Sequence, residues 1–322
     1  MEPETSLPYH RAGNTNHKSI PTRKRALGLA LAVTFLWSTS WLLIKIGLRD
    51  VPAITFAGLR YFLAFLCLLP FVFRKGPRYE IRHLTTREWG ILIGLGFLLY
   101  SITQGAQFLG LSLLPINTPS LLLNLSGAVV ALAGMLFLGE SLSRQQWLGV
   151  ALNLLGVLVF FYPPEFSRSD IVGIGIVLLG MLANSVSTLI SRRINGSWNL
   201  SPLVITTISM GVGSILLLIA GALVQGIPHL SLKVWAILIW MAVVNTAFGF
   251  TIWNYTQQTL LAMESTIINS TMLIQIAFLG WIGLGESLSV LKMIGMALVL
   301  TGVILAQLRR EAKPVPNLQN GT

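Results

Sequence analysis

The six residues LGESLS stand at 138–143 and again at 284–289, 146 positions further along a chain of 322 residues. Around them, residues 136–159 and 282–305 are identical at 12 of 24 aligned positions. Apolar composition alone rarely produces an unbroken match that contains glycine, glutamate and two serines. The motif carries no obvious catalytic chemistry, so we interpret it as the mark of a structural unit that is present twice.

The composition indicates which solvent surrounds this unit. The chain is 54% hydrophobic and only 10% charged, whereas a soluble domain carries about 25% charged residues. The net charge is +11, but the basic residues lie between apolar runs instead of on one soluble face, which argues against nucleic-acid binding. The one cysteine, Cys67, excludes a disulfide framework. The sequence therefore predicts an integral membrane protein that contacts the lipid bilayer.

Apolar stretches of membrane-spanning length follow one another along the chain. As a helix, residues 26–48 would extend about 35 Å, enough for a hydrocarbon core of about 30 Å. A helix also satisfies its own backbone hydrogen bonds in lipid, whereas alternating strands of barrel type are absent from the sequence. The pattern predicts an all-α protein with ten transmembrane helices, at 26–48, 53–73, 89–112, 116–138, 145–162, 171–191, 202–225, 234–255, 265–284 and 290–308.

The ten spans divide into two five-helix repeats, 26–162 and 163–308. Because five is odd, the second repeat would enter the membrane inverted, as in many secondary transporters. With the N-terminus inside, 16 of the 22 Lys and Arg residues lie on the cytoplasmic side and four on the other. The positive-inside rule therefore predicts two cytoplasmic tails, a disordered one at 1–25 and another at 309–322. We expect a multi-pass protein of a bacterial inner membrane.

The repeated motif ends spans four and nine. Its serines can cap the next helix, since a hydroxyl satisfies free backbone N–H groups at a helix start. For Glu140 and Glu286 we favour capping or anchoring at the membrane surface, with gating as the alternative. Gly149 and Gly156 are seven residues apart on one helix face, which favours close helix packing over a substrate role.

Several segments resemble the EamA family of the drug/metabolite transporter superfamily. They are FLWSTSWLLIKIGL (35–48), AITFAGLRYFLA (53–64), NYTQQTLLAMESTIINS (254–270) and the two Gly–Glu pairs that end spans four and nine. The resemblance covers residues 26–308 and implies a ten-helix inverted repeat that exports or exchanges small metabolites. It does not extend to the proline that the family often has in spans four and nine, where this chain has Gly127 and Leu273.

Two cationic residues lie inside predicted spans. Placing a charge in the bilayer costs free energy, so a charged residue there indicates a function. Lys45 is about 6 Å deep and can either snorkel to the surface or face a cavity. Arg60 is about 12 Å deep, where it would either pair with polar neighbours or face a substrate. All eleven carboxylates and all four histidines lie in tails, connectors or span ends. Without a membrane proton relay, we expect exchange or facilitated diffusion, or a substrate that itself carries the proton, and we expect the substrate to bear a negative group.

Neutral polar residues in the spans are the other candidates. Each can hydrogen-bond a neighbouring helix instead of a substrate, but their number favours a water-filled central cavity. The predicted substrate-binding residues are Trp37, Ser38, Thr39, Lys45, Arg60, Tyr100, Gln104, Asn124, Asn184, Asn254 and Asn269.

Motifs for enzymatic chemistry are missing from the sequence. It contains no Walker loop, no Cys/His metal-ligand spacing and no Ser–His–acid set, so we expect no enzyme, cofactor or metal. The expected function is secondary transport of a small amphipathic or anionic metabolite, such as an amino-acid-like solute, by alternating access. A non-transporting membrane interaction protein and, less favoured, a membrane-embedded enzyme are the alternatives. The oligomeric state stays open, with a monomer among the options.

Overall fold

The structure is a computed structural model that describes residues 22–138, 143–163, 167–197, 200–256, 259–260 and 262–307. These residues form helices and their connections and contain no β-strand, which confirms the all-α prediction. Residues 1–21 and 308–322, which hold most of the two predicted tails, lie outside this described part. Glu140 of the first LGESLS copy lies outside it as well.

The first half contains a long helix with a π-helical insert and a broken helix. Its elements are α1 (Arg23–Gly47), α2 (Ala53–Val72), α3 (Lys75–Arg82), α4 (Thr86–Gly96), π1 (Phe97–Thr103), α5 (Gln104–Leu113), α6 (Asn117–Asn124), α7 (Ser126–Leu138) and α8 (Arg144–Phe160). The π-helical segment π1 continues α4 directly into α5. The predicted span 116–138 is not one helix, because α6 and α7 are separated at Leu125.

Apart from α3, which has no counterpart among the described residues, the second half has the same kinds of element in the same order. They are α9 (Arg168–Ser197), α10 (Pro202–Val224), α11 (Leu232–Trp240), π2 (Met241–Phe248), α12 (Gly249–Thr256), α13 (Ala262–Ser270), α14 (Met272–Leu284) and α15 (Val290–Gln307). Here π2 continues α11 into α12, and Thr271 separates α13 from α14.

Among the residues that the structure describes, six helices are long and apolar enough to cross a membrane. They lie at Arg23–Gly47, Ala53–Val72, Thr86–Leu113, Arg168–Ser191, Pro202–Val224 and Ile267–Leu284. Each overlaps one of the predicted spans, while the number ten stays a prediction. Large apolar side chains such as Leu158 and Leu223 are strongly exposed, as expected of helices that face lipid.

The LGESLS motif ends one helix and begins the next. Ser143 accepts a hydrogen bond from the Gln146 backbone N–H at 3.3 Å, and Ser289 accepts one from the Lys292 N–H at 3.3 Å. These contacts begin α8 and α15, which confirms the capping prediction for the last serine of each copy. In the second copy, Gly285 ends α14 in the left-handed region, at φ +68°, a conformation that glycine adopts without steric cost.

Close glycine contacts hold α8 against α15. A Cβ on Gly156 would lie 2.7 Å from the Gly295 carbonyl oxygen, and one on Gly302 would lie 2.6 Å from that of Gly149. The two backbones are therefore in direct contact, as small residues permit inside membranes. The contacts agree with close packing at Gly149 and Gly156, which stays a prediction. Elsewhere α2 packs on α10, while α1 packs along α12 and α14 and α9 along α5 to α7.

Candidate functional site

Glu286 connects the end of α14 to the start of α6. Its Oε1 accepts a hydrogen bond from the Ile116 backbone N–H at 2.7 Å, and its Oε2 accepts one from Asn117 Nδ2 at 3.1 Å. Free N–H groups and the helix dipole both favour an anion at a helix N-terminus. We call this set of contacts the Glu286 clasp. Glu286 therefore binds the start of a helix, and that helix belongs to the opposite half of the chain.

Lys45 lies at the same end of the molecule. Its ammonium group donates hydrogen bonds to the carbonyl oxygens of Leu111 and Leu114, both at 2.6 Å. These carbonyls belong to the end of α5, where helix geometry leaves acceptors unused. Lys45 is thus partnered with backbone and joins α1 to α5. Beside it is a cavity of about 220 Å³, lined by Lys45, Leu48, Arg49, Leu111, Ser112, Leu284 and Glu286.

A second group of predicted residues connects α1 with π2 and α14. Trp37 Nε1 donates to the backbone oxygen of Asn245 at 2.9 Å, and the Trp37 ring lies 5.2 Å from that of Trp253. Ser38 donates to Gln275 Oε1 at 2.9 Å. Asn245 Nδ2 donates in turn to α1, at Leu36 O and Ser40 Oγ. In this conformation, the polar face of α1 therefore binds neighbouring helices.

A third group surrounds π1. Tyr61 donates its hydroxyl hydrogen to Gln104 Oε1 at 2.6 Å, and its ring lies 5.5 Å from that of Tyr100. The guanidinium carbon of Arg60 lies 5.1 Å from the centre of the Tyr61 ring. The structure thus brings together three predicted site residues, Arg60, Tyr100 and Gln104. Tyr61 was not predicted, although a phenol inside a membrane span usually requires a polar partner.

The remaining predicted residues are dispersed. Thr39 donates to Leu36 O within α1, and Asn124 Nδ2 donates to Ser120 O within α6, just before the break at Leu125. Asn184 is half-buried in α9, while Asn269 in α13 is exposed. The side chain of Asn254 lies outside the described part of the structure.

Two buried amide oxygens beside these groups, Asn117 Oδ1 and Asn245 Oδ1, have no hydrogen-bond partner in the described part of the chain. Asn117 begins α6 and donates to the Glu286 clasp, whereas Asn245 lies in π2. Asn117 was missed at the sequence level, although a polar residue shortly after Pro115 is typical of a helix start. Within the described ranges, no three His, Cys, Asp or Glu residues lie close enough to hold a metal ion.

Comparison with known families shows what kind of protein carries this arrangement. The model of the EamA-like transporter family matches residues 24–162 and again residues 171–308. The chain belongs to the EamA-like transporter family. The apolar helices and the family together indicate a multi-pass membrane protein.

Relatives in this family are named as transporters. The uncharacterized transporter YoaV of Bacillus subtilis is 24% identical over 298 residues, covering 88% of this chain and 96% of the relative. A probable amino-acid metabolite efflux pump of Escherichia coli is 24% identical over 292 residues, covering 86% and 93%. A crystal structure matches with a TM-score of 0.63 at 18% identity, over 89% of this chain and 99% of the other. That similarity concerns the fold alone.

Proposed function

We propose that this EamA family member is a secondary transporter that exports or exchanges a small metabolite by alternating access. Its ten spans would form two five-helix halves with opposite orientation in the membrane. The observation that carries the proposal is the recurrence of helix interruptions at the spacing of the sequence repeat. The breaks at Leu125 and Thr271 are 146 residues apart, the same distance that separates the two LGESLS copies.

The π-helical segments recur in a similar way. They begin at Phe97 in the first half and at Met241 in the second. Discontinuous helices in corresponding positions of two halves are the best structural indication of a transporter's binding site. Short π segments inside helices are also frequent at functional sites. We therefore place the substrate between π1, π2 and the two broken helices.

The contacts between α8 and α15 support a two-fold relation between the halves. In the repeat alignment, Gly149 corresponds to Gly295 and Gly156 to Gly302. In the structure, Gly156 contacts Gly295 and Gly302 contacts Gly149. Such reciprocal pairing, in which residue i meets j′ and j meets i′, is expected when a two-fold axis relates two copies.

The two ends of this arrangement differ, as alternating access requires. At one end, which we call the α6 end, α6 packs against α14 and the Glu286 clasp joins them. The corresponding elements at the opposite end, the α13 end, are α7 and α13. Among the described residues, these two are not packed together in the same way. A transporter with one closed end and one open end is in one of its two access states.

The orientation follows from charge. If the 16 basic residues of the tails and alternate connectors face the cytoplasm, both termini are cytoplasmic and the α6 end faces outward. The structure would then be closed to the outside, in the state in which an exporter receives substrate from the cytoplasm. A bacterial inner membrane is the corresponding location.

The substrate class follows from the polarity of the site and from a relative. Amides and hydroxyls alternate with aromatic rings around π1 and π2, a combination that suits a small amphipathic solute. The Escherichia coli relative is named as a probable amino-acid metabolite efflux pump, so amino-acid-like solutes are the first candidates. These solutes would move by exchange or by facilitated diffusion. The proposed contact residues are Arg60, Tyr100 and Gln104 around π1, with Trp37 and Ser38 beside π2. The other residues predicted from the sequence stay predictions, namely Thr39, Lys45, Asn124, Asn184, Asn254 and Asn269.

Counterflow in proteoliposomes tests the transport function. The purified protein would be reconstituted into liposomes loaded with one unlabelled amino acid, sugar or nucleotide, and uptake of the same labelled compound would be measured. We expect uptake above the protein-free control for at least one amino acid, and it should require the internal compound. Uptake that equals the protein-free control for every compound would contradict the transporter proposal and favour an interaction protein.

A further inference from the structure

Arg60 is a buried cation for which the described part of the chain provides no counter-charge. Its side chain lies in α2 and the residue is 8% exposed. Its Nε is fully enclosed and has no hydrogen-bond partner among the described residues. The one ion pair found among the described residues is Arg23–Glu264, at the start of α1. A charged group in a membrane span normally pairs or marks a substrate pathway, so this isolation requires an explanation.

The neighbours of Arg60 stabilise a cation only in part. Its guanidinium carbon lies 5.1 Å from the Tyr61 ring centre and 6.0 Å from the Phe108 ring centre. An aromatic face attracts a cation through its quadrupole, but it contributes no net negative charge. The polar group nearest in sequence, the Tyr61 hydroxyl, is already engaged with Gln104. The planar donors of the guanidinium therefore lack the acceptor that they are shaped to bind.

Lys45, the other cation in a predicted span, has hydrogen-bond partners for its charge. Its ammonium group has two carbonyl oxygens at 2.6 Å, and it shares a cavity with Glu286. Arg60 has neither kind of partner in the described residues. Since both side chains lie in spans of the same membrane, the difference indicates that the acceptor for Arg60 comes from outside the chain.

We infer that Arg60 binds a carboxylate of the transported substrate, whose apolar part rests on the rings of Tyr61 and Tyr100. This inference rests on the proposed transport function, because the ligand is the transported molecule. A single guanidinium matches a carboxylate, which carries one negative charge and accepts two parallel hydrogen bonds. A phosphate group carries more charge, and the described contacts of Arg60 include no second cation to balance it.

The test compares ligands that differ in one charge. Thermal unfolding of the full-length protein in detergent would be measured with leucine and phenylalanine, with their amides, and with inorganic phosphate. We expect at least one amino acid to raise the unfolding temperature, while its amide and phosphate do not. Equal stabilisation by an amino acid and its amide would overturn the inference. So would stabilisation by phosphate alone, or no stabilisation by either carboxylate.

Variants then assign the effect to this residue. Arg60→Gln should weaken carboxylate binding about 10- to 100-fold, the range for losing a charged hydrogen bond. Arg60→Lys keeps the charge but loses the planar fork, so it should bind with intermediate affinity. Arg78→Gln removes an exposed cation of α3 and is the matched control, which should bind as the wild type does. Unchanged carboxylate affinity in a folded Arg60→Gln or Arg60→Lys protein would overturn the inference.

Counterflow separates this inference from the transport proposal. If the wild type exchanges leucinamide as fast as leucine, the chain is a transporter but the carboxylate site is refuted. If a carboxylate binds with the expected dependence on Arg60 but no compound is exchanged, the site stands and the transport function is refuted. The comparison of leucine with leucinamide requires no variant, so a poorly folding Arg60→Gln protein leaves the test intact.

Discussion

The α6 end and the α13 end of this protein are built from corresponding parts of one repeat, yet they are held by different contacts. At the α6 end, Glu286 binds the start of α6 and Lys45 binds the end of α5. At the α13 end, Arg23 of α1 pairs with Glu264 of α13. Arg23 is 71% exposed in that pair, whereas the partners of Glu286 and Lys45 are largely buried backbone and side chains.

In the proposed mechanism the two ends are the gates, and this difference would make one gate more strongly held than the other although both come from one repeated sequence. A carboxylate on a helix N-terminus combines charge with hydrogen bonds that water replaces poorly. In the Arg23–Glu264 pair, by contrast, the arginine is solvated although the glutamate side chain is only 14% exposed, and an ion pair with a solvated partner contributes less. We therefore expect the α6 end to be the more firmly closed of the two in this state. Glu140, which corresponds to Glu286, would take over the equivalent role at the α13 end in the other state.

The largest effect is expected at the clasp. Glu286→Ala leaves the Ile116 N–H and Asn117 Nδ2 without their acceptor, which should cost about 2 kcal/mol of stability. It should also open the α6 end. Thr118 is 7% exposed beside the clasp, so Thr118→Cys in a Cys67→Ala background should react faster with a water-soluble thiol reagent once Glu286 is replaced.

Glu286→Gln is the matched control for this prediction. Its amide oxygen can still accept from the Ile116 N–H, so its stability and its thiol reactivity should lie between those of the wild type and Glu286→Ala. Unchanged reactivity at position 118 in Glu286→Ala would show that the clasp does not hold this end closed.

A smaller effect is expected at the interface of α8 and α15, which should hold in both access states. Gly156→Ala places a Cβ 2.7 Å from backbone atoms of Gly295 and Val299. Overpacking of this kind costs about 1–3 kcal/mol. Gly175→Ala is the control, because a Cβ there meets nothing within 4 Å. Thermal unfolding in detergent should show a clear decrease for Gly156→Ala and none for Gly175→Ala; equal values would contradict the close packing.

The smallest effect is expected at the α13 end. Arg23→Ala removes the solvated partner of the Arg23–Glu264 pair, so it should change stability by less than about 1 kcal/mol. Counterflow should stay close to the wild-type rate. A loss of stability as large as that of Glu286→Ala would reverse the ranking of the two ends.

Much of the fold is readable from the sequence because it depends on composition and local spacing. The helices, the capping serines and the packing glycines follow from apolar runs, hydroxyls before helix starts and a seven-residue glycine spacing. The breaks at Leu125 and Thr271 were not predicted, because neither position carries a proline, although at each one a more polar segment gives way to a strongly apolar one. Local sequence therefore indicates helices well and their interruptions poorly.

The candidate site was only partly predictable because its contacts join distant segments. Glu286 was expected to cap a helix, but its partner lies 170 residues away, at Ile116. The sequence left open whether Lys45 and Arg60 have polar partners. Tertiary packing gives Lys45 two carbonyl oxygens and gives Arg60 two aromatic faces, a difference that depth along a helix cannot reveal.

Cross-linking the α6 end tests the central claim of alternating access most directly. A Cβ on Gly280 would lie 2.5 Å from Ile116 Cγ2, so Ile116→Cys and Gly280→Cys fit the separation of about 3.5–4.5 Å between disulfide Cβ atoms. The repeat supplies the matched pair for the α13 end, Gly134→Cys with Ala262→Cys. Both double variants would be made in a Cys67→Ala background and assayed by counterflow before and after oxidation.

The account predicts that the α6-end pair forms a disulfide without substrate and stops exchange until a reductant is added. The α13-end pair should form its disulfide mainly while substrate is being exchanged, when the other access state is visited. Full-rate exchange by protein whose α6 end is cross-linked would contradict alternating access at this gate.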